Sequence, residues 1–304
     1  MSAEVGIGQA VRGGGRAQRS LGSRVWYEVS KFTRKKPLGA FGAVVLFVLI
    51  GMAAFAPIIT SYGPLQQSTG PALAGPSMEH LAGTDQFGRD VFTRIVYGAR
   101  ISLFISVGAT IMAIIPATTF GMMCAYFRGP FDLVFQRIVD AFQAIPGLIL
   151  LITIVSILGS GQFNVILALA IPASITGSRL QRAASMQVTG RDYVLAARSL
   201  GATHTRIIFQ YILPNIMAPI IIVVSLGFGG YILAESSLSF LGYGVPPPAP
   251  SWGGMLASDG RRYMYVAPHM FIAPAIALSV VVFGVNMFGD AMRDILDPRL
   301  RGSS

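Results

Sequence analysis

RDYVLAARSLGATHTRIIFQYILPN, residues 191–215, is the stretch on which the reading of this chain turns. It is a polar island between two strongly apolar segments, and its small and apolar residues fall into two short helical sets separated by Gly201. Tyr193, Ala196, Ala197 and Leu200 recur at i, i+3, i+4, i+7, the spacing of one face of an amphipathic helix. Gly201 then supplies a left-handed stop. Thr203 is placed to cap a second set, Ile207, Ile208, Tyr211 and Ile212, which runs up to Pro214, whose ring removes a backbone donor. The pattern predicts a compact helix-Gly-helix knob at a membrane surface, inside a loop over about 186–215. Ala196 and Ala197 carry no bulk beyond Cβ, so another backbone can come close, while Arg191, Asp192, Arg198 and Arg206 keep the island out of hydrocarbon. On spacing alone two readings stand, a docking element and an ordinary cytoplasmic loop.

Composition supplies the membrane. Of 304 residues 53% are apolar and only 12% charged, against roughly 25% charged in soluble domains. The single cysteine, Cys124, sits in an apolar run, which excludes a disulfide framework and a cysteine metal cluster and reads as a small core residue. A net charge of +10 would suggest nucleic acid in a soluble protein, but here its distribution marks one side of a bilayer, and no nucleic-acid partner is expected.

Outward from the island, six apolar segments approach the roughly 20 residues needed to cross the hydrocarbon, at about 39–59, 101–125, 138–158, 164–178, 217–236 and 268–288. The fourth is short, contains Pro172 and fades into Ser174, Thr176 and Ser178. The expectation is an all-α, polytopic membrane protein with a permease domain over 38–300. Residues 1–24, rich in Gly, Arg and Ser, read as a disordered basic tail, and 25–37, which mixes Trp26, Tyr27 and Phe32 with basic residues, as an interfacial helix. With the N-terminus inside, eighteen Lys/Arg fall on the inner side and five on the outer (Arg89, Arg94, Arg100, Arg261, Arg262). That asymmetry sets both termini, and the island, in the cytoplasm. Pro116, Pro146, Pro172, Pro219 and Pro274 punctuate the spans, either as packing around a cavity or as tolerated kinks.

Two outer loops, 60–100 and 237–267, carry further patterns. GTDQFGRD at 83–90 is turn-rich, and Asp85, Arg89 and Asp90 can bond turn amides; contact with a delivery protein is the other reading. The second loop opens at Glu235, continues through PPPAP at 246–250 and reaches Trp252, which suits a membrane interface. Glu235 at the outer end of its span is expected to find a partner, Arg100 or the amides of Ser236–Leu238, and to anchor the following loop or contribute to an outer gate. GFGG at 227–230 reads as close helix packing. Besides Glu235, Asp140 is the ionisable residue nearest a span interior.

These patterns resemble a known family. Ala196, Ala197, Gly201, Leu213 and Pro214 match the EAA loop, E-A-A-x3-G-x9-I-x-L-P, of the permease subunits of ATP-driven (ABC) importers, with Leu195 and Tyr211 as departures. GTDQFGRD, and ESSLSFLGYG followed by PAPSWG, are similar to signatures of the C-type permeases for dipeptides, oligopeptides and nickel. The resemblance implies a type I importer permease fold. It makes the island a coupling helix that fits a groove on an ATPase, and implies a second homologous permease, two ATPase subunits or domains that bind ATP and Mg, and an extracytoplasmic binding protein, all in a cell membrane. The leading cargo is short peptides, with nickel as the alternative.

No G-x-x-x-x-G-K-[ST] loop occurs, so the chain is not expected to hydrolyse nucleotide or to carry a cofactor. His80 and His269 fall outside and His204 inside, so they cannot build one metal site. A self-sufficient secondary transporter would need a buried acid near the midplane, and none is present.

Overall fold

The computed structural model describes residues 33, 34 and 36–296. The chain divides into two units, Met1–Pro37 and Leu38–Ser304. The tail expected over 1–24 and most of the helix expected over 25–37 lie outside the described residues. Among those described the architecture is helical, with one isolated antiparallel bridge between Thr84 and Asp90.

Five helices are long and apolar enough to cross a membrane: α1 (Pro37–Ile59), α2 (Val91–Phe127), α5 (Gln162–Thr189), α7 (His204–Phe240) and α9 (His269–Leu296). Between α2 and α5, α3 (Gly129–Ala144) and α4 (Gly147–Leu158) pass the same test only as a pair, bent by 97°. The segment expected as one straight span over 138–158 is therefore a broken one. Its cause is local: Pro146 has no donor and drives Ile145 to φ −88°, ψ 129°, an extended conformation in which a helix cannot continue.

The segment expected at 164–178 is in fact the 28-residue α5. Its hydroxyls turn back on its own carbonyls, Ser174 to Ile171, Thr176 to Pro172 and Ser178 to Ile175, so the polar run needs no helix end. Its arginines are paired with α3: Arg182 grips Asp132 through two nitrogens, and Arg179 reaches Asp140, Gln136 and Gln143. These charges are thus satisfied side by side, and the helix runs on.

Close approach organises the packing. A Cβ at Gly121 of α2 would lie 2.6 Å from Cβ of Gln181 and 2.8 Å from the carbonyl of Ser178, so α2 and α5 cross backbone to backbone, and they share the most extensive contact in the fold. Gly42 plays the same part between α1 and α9, where a Cβ would meet the Phe288 amide at 2.6 Å. One apolar cluster joins α2, α4, α5 and α7 through Ile105, Val155, Val165 and Leu238. A second ties α1, α7 and α9 through Leu49, Ile232 and Val285, with Trp252 of the short helix α8 (Trp252–Met255) at its centre. Phe47, Ile58 and Ile157 remain exposed, as lipid contact requires. Cys124 is buried in α2.

Candidate functional site

The island folds as α6 (Asp192–Ser199), a turn, and the start of α7. Gly201 has φ +79°, the left-handed stop, and Thr203 accepts the Arg206 amide at 3.4 Å as a cap. From Ile207 to Ile212 the helix widens into a π turn and from Leu213 to Ile216 tightens into a 3₁₀ turn across Pro214. Such irregular turns re-aim the axis between the island and the span above it.

The buried face of α6 differs from the expected one. Val194 and Ala197 are buried, and Val194 packs onto Met122, Tyr126, Ile207 and Ile212. Tyr193 and Ala196 face out, and Leu200 is 88% exposed. Val194 and Ala197 are three positions apart, so the buried face keeps helical spacing but is rotated from the expected one, and Tyr193, Leu195 and Leu200 stay exposed. Ala197 is therefore a packing residue of the knob itself. What α6 offers a partner is Asp192, Tyr193, half-buried Leu195 and Ala196. Arg206 is exposed and bonds Gln210 at 3.1 Å, while Leu213 is partly buried and Pro214 exposed.

Two residues that the sequence did not single out join the island to α2. The Tyr126 hydroxyl lies 2.8 Å from Nδ1 of His204, and the Arg198 guanidinium sits 4.9 Å over the Tyr126 ring. Tyr126 is itself buried. An aromatic at the last turn of an apolar span, facing a His one residue after a helix cap, was the available signal.

At the other end, 83–90 closes on itself. Asp85 accepts the amides of Phe87 and Arg89 and the Arg89 Nε, and lies 3.8 Å from the Arg94 Nε. Asp90 caps α2 by accepting the Thr93 amide at 2.7 Å and meets His80 Nδ1 at 3.0 Å. Arg89 also reaches Asp259 at 3.7 Å, and His269 at the start of α9 bonds the carbonyl of Thr84 at 3.0 Å. Asp85, Arg89, Asp90 and Arg94 are all buried.

The remaining outer residues correct two expectations. Trp252 is not an interface anchor: it is fully buried, donates to the Ile95 carbonyl at 3.0 Å, and lies against Gly98, whose missing side chain makes its room. Glu235 is also fully buried, yet its partners are neither Arg100 nor backbone amides. Ser102 of α2 donates at 3.0 Å, Ser239 at 2.8 Å and Ser236 at 3.3 Å. Three hydroxyls surround the carboxyl and tie α7 to α2. Asp140, in contrast, is surface-lying and paired with Arg179 and Arg137.

Comparison with known proteins bears on this arrangement directly. Residues 117–302 match the family described as "Binding-protein-dependent transport system inner membrane component", and residues 24–76 match the "N-terminal TM domain of oligopeptide transport permease C". The chain is 41% identical to a dipeptide transport system permease protein of Alkalihalophilus pseudofirmus, over 91% of this chain and 90% of that one. It is 36% identical to an oligopeptide transport system permease protein of Bacillus subtilis (91% and 90%) and 36% identical to a glutathione transport system permease protein of Escherichia coli (91% and 91%). Among solved structures, an inward-facing MetNI methionine ABC transporter chain superposes with a TM-score of 0.55 at 17% identity, covering 68% of this chain and 97% of that one. At that identity the likeness is one of fold.

Proposed function

Because the chain belongs to the binding-protein-dependent inner-membrane transport components, a multi-pass cell-membrane family, we propose that it carries short peptides into the cytoplasm as one of two permease subunits. In this reading an extracytoplasmic binding protein delivers the peptide, and two ATPase subunits, which bind ATP and Mg, dock from the cytoplasm. The relatives' names, for dipeptides, oligopeptides and glutathione, favour peptides over nickel.

The observation that carries the proposal is α6. A helix whose outward face presents Leu195 and Ala196, with Leu200 at its end, and whose inward face is locked to α2 has the form of a rigid docking piece. Orientation follows from the charges: the side bearing α6 holds most Lys and Arg, which puts α6 where an ATPase can reach it. Motion at α6 passes to α2 through Arg198, Tyr126 and His204. Because α2 is 37 residues long, it runs from that joint to the Asp90 cap on the other side.

The test is to purify the chain with its genomic neighbours and reconstitute the complex in liposomes. ATPase subunits are expected to co-purify, and binding-protein-dependent uptake of a labelled dipeptide is expected on adding ATP. A chain that purifies alone and transports down a gradient would sink the proposal.

A further inference from the structure

Three cavities adjoin one another along α5 and α7. The inner one, about 730 Å³, begins beside the island; Val223 is shared between it and a small middle one, and Ala173 and Tyr231 are shared between the middle one and a third of about 470 Å³. Together they make a groove that climbs from Arg191 to Ala234. The bend of α3 and α4 closes its upper part, with Phe142, Ile145 and Gly147 in the wall.

The chain's own packing does not explain how this groove is built. Of the glycines at 227–230, Gly229 packs closely, since a Cβ there would sit 2.5 Å from Asn286. Gly227 and Gly230 line the groove, and a Cβ would meet only Tyr231 at 3.7 Å in the first case and nothing within 4 Å in the second. Glycine is the poorest helix former after proline, and no contact within the chain calls for it at these two positions. The inner end is polar. Gln181 lines it, buried, and neither of its carboxamide atoms has a hydrogen-bond partner. Gln187 near the end of α5 and Arg191 just beyond it line the same cavity.

Resting on the peptide-importer reading above, we propose that this groove is the wall of the cargo path in this subunit, with Gln181 and Gln187 binding the peptide's amide groups at the inner end. A carboxamide donates and accepts, as a peptide bond does, so the two glutamines can follow a chain of amides without selecting its side chains. Backbone at Gly227 and Gly230 keeps side chains out of the upper cavity, while the middle one, at about 30 Å³, widens as a peptide passes. A lipid tail would leave the carboxamides unsatisfied. Arg191 at the mouth offers a guanidinium to the cargo's carboxylate.

Two measurements on the reconstituted complex decide it. Gly230→Leu puts a side chain into space that no atom of this chain occupies, so the subunit should still fold and hold its partners. Labelled-dipeptide uptake is expected to fall roughly tenfold or more, as when bulk fills a space that something else must enter. Unchanged uptake overturns the proposal, and so does loss of the second permease from the complex, which would make the groove that subunit's seat.

In the second measurement, Gln187→Cys is turned over with ATP and a cysteine-containing dipeptide, with copper phenanthroline as the oxidant that takes two electrons as the two thiols lose their protons and form a disulfide. A mixed disulfide is expected in that variant when ATP is supplied and not without it, and none in the native chain, whose Cys124 is buried. No adduct at Gln187→Cys overturns the proposal. A native complex that takes up no dipeptide fails the peptide reading itself, whereas one that transports equally well with Gly230→Leu fails only the groove.

Discussion

The two polar stretches that carry the family patterns sit at opposite ends of α2, and their chemistry is opposite. In 83–90 every charged side chain is turned inward and partnered: Asp85 with Arg89 and two amides, Asp90 with His80 and the Thr93 amide. In 191–206 only Val194 and Ala197 are turned inward, and the charged residues stay at the surface. The first stretch is used up by its own fold. The second leaves its charged residues and most of its apolar ones at the surface. Similar motif strength in a sequence therefore says nothing about whether residues serve the chain or a partner, and burial with satisfied hydrogen bonds tells the two apart.

The largest effect should separate the two ends by one acid each. Asp85→Ala strips a buried carboxylate from Arg89 and leaves Arg94 without its nearest acid, and removing one partner of a buried ion pair costs about 3–5 kcal/mol. Asp192→Ala, on an exposed first turn, should change stability by no more than about 0.5 kcal/mol. Thermal unfolding of the purified chain in detergent checks both; equal midpoints would erase the contrast between a closed and an open motif.

The adjacent alanines of the island give the next comparison. Ala197 is buried, so Ala197→Arg forces a long side chain into occupied space and should destabilise the chain by about 1–3 kcal/mol. Ala196→Arg, one residue away and facing out, should leave the unfolding midpoint unchanged and reduce the ATPase recovered with the complex. If both variants behave alike, α6 does not have an inner and an outer face.

Much of this was legible in the sequence, and the failures share a cause. Helical content, the Gly201 stop and the Thr203 cap follow from local chemistry: period, φ preference and a side-chain oxygen near an amide. The errors lie where a distant partner changes what a residue needs. The span at 164–178 looked short because Asp132 and Asp140, which pair with Arg182 and Arg179 beyond it, are over 35 positions away in the chain. Trp252 looked like an interface anchor because the gap it fills is left by Gly98, on another helix. Glu235 was assigned a cation or amides because Ser102, which joins Ser236 and Ser239 around it, lies on α2, 133 positions away in the chain. Pairwise satisfaction across helices is a property of the fold, and period carries no record of it.

The joint between the two ends should show a smaller energetic effect but a distinct functional one. Tyr126→Phe keeps the ring under Arg198 and removes only the hydroxyl that meets His204, a loss of about 1 kcal/mol. Assembly should survive. The ATP hydrolysed per dipeptide transported should rise, because α6 then moves with less hold on α2. An unchanged ratio would mean that the outer and inner ends communicate by another route.

The smallest expected change concerns Leu195, where the family motif carries Glu. The structure leaves this side chain 47% exposed on the outward face of α6, so it is free to be buried by a partner. Completing that burial contributes at most about 1.5–3 kcal/mol, and a Glu at the same place bonded to a basic residue would contribute about as much. Leu195→Glu should therefore alter ATPase retention by less than about 1 kcal/mol, which is too little to interpret by itself. The salt dependence is what differs. An apolar contact is insensitive to screening, whereas exposed charges lose most of their attraction beyond about 8 Å at physiological ionic strength. Retention of the ATPase measured across a salt series should stay flat for the native chain and slope downward for Leu195→Glu. A native complex that dissociates in moderate salt would show that the outward face of α6 docks through Asp192 and Arg206, and that its apolar centre contributes little.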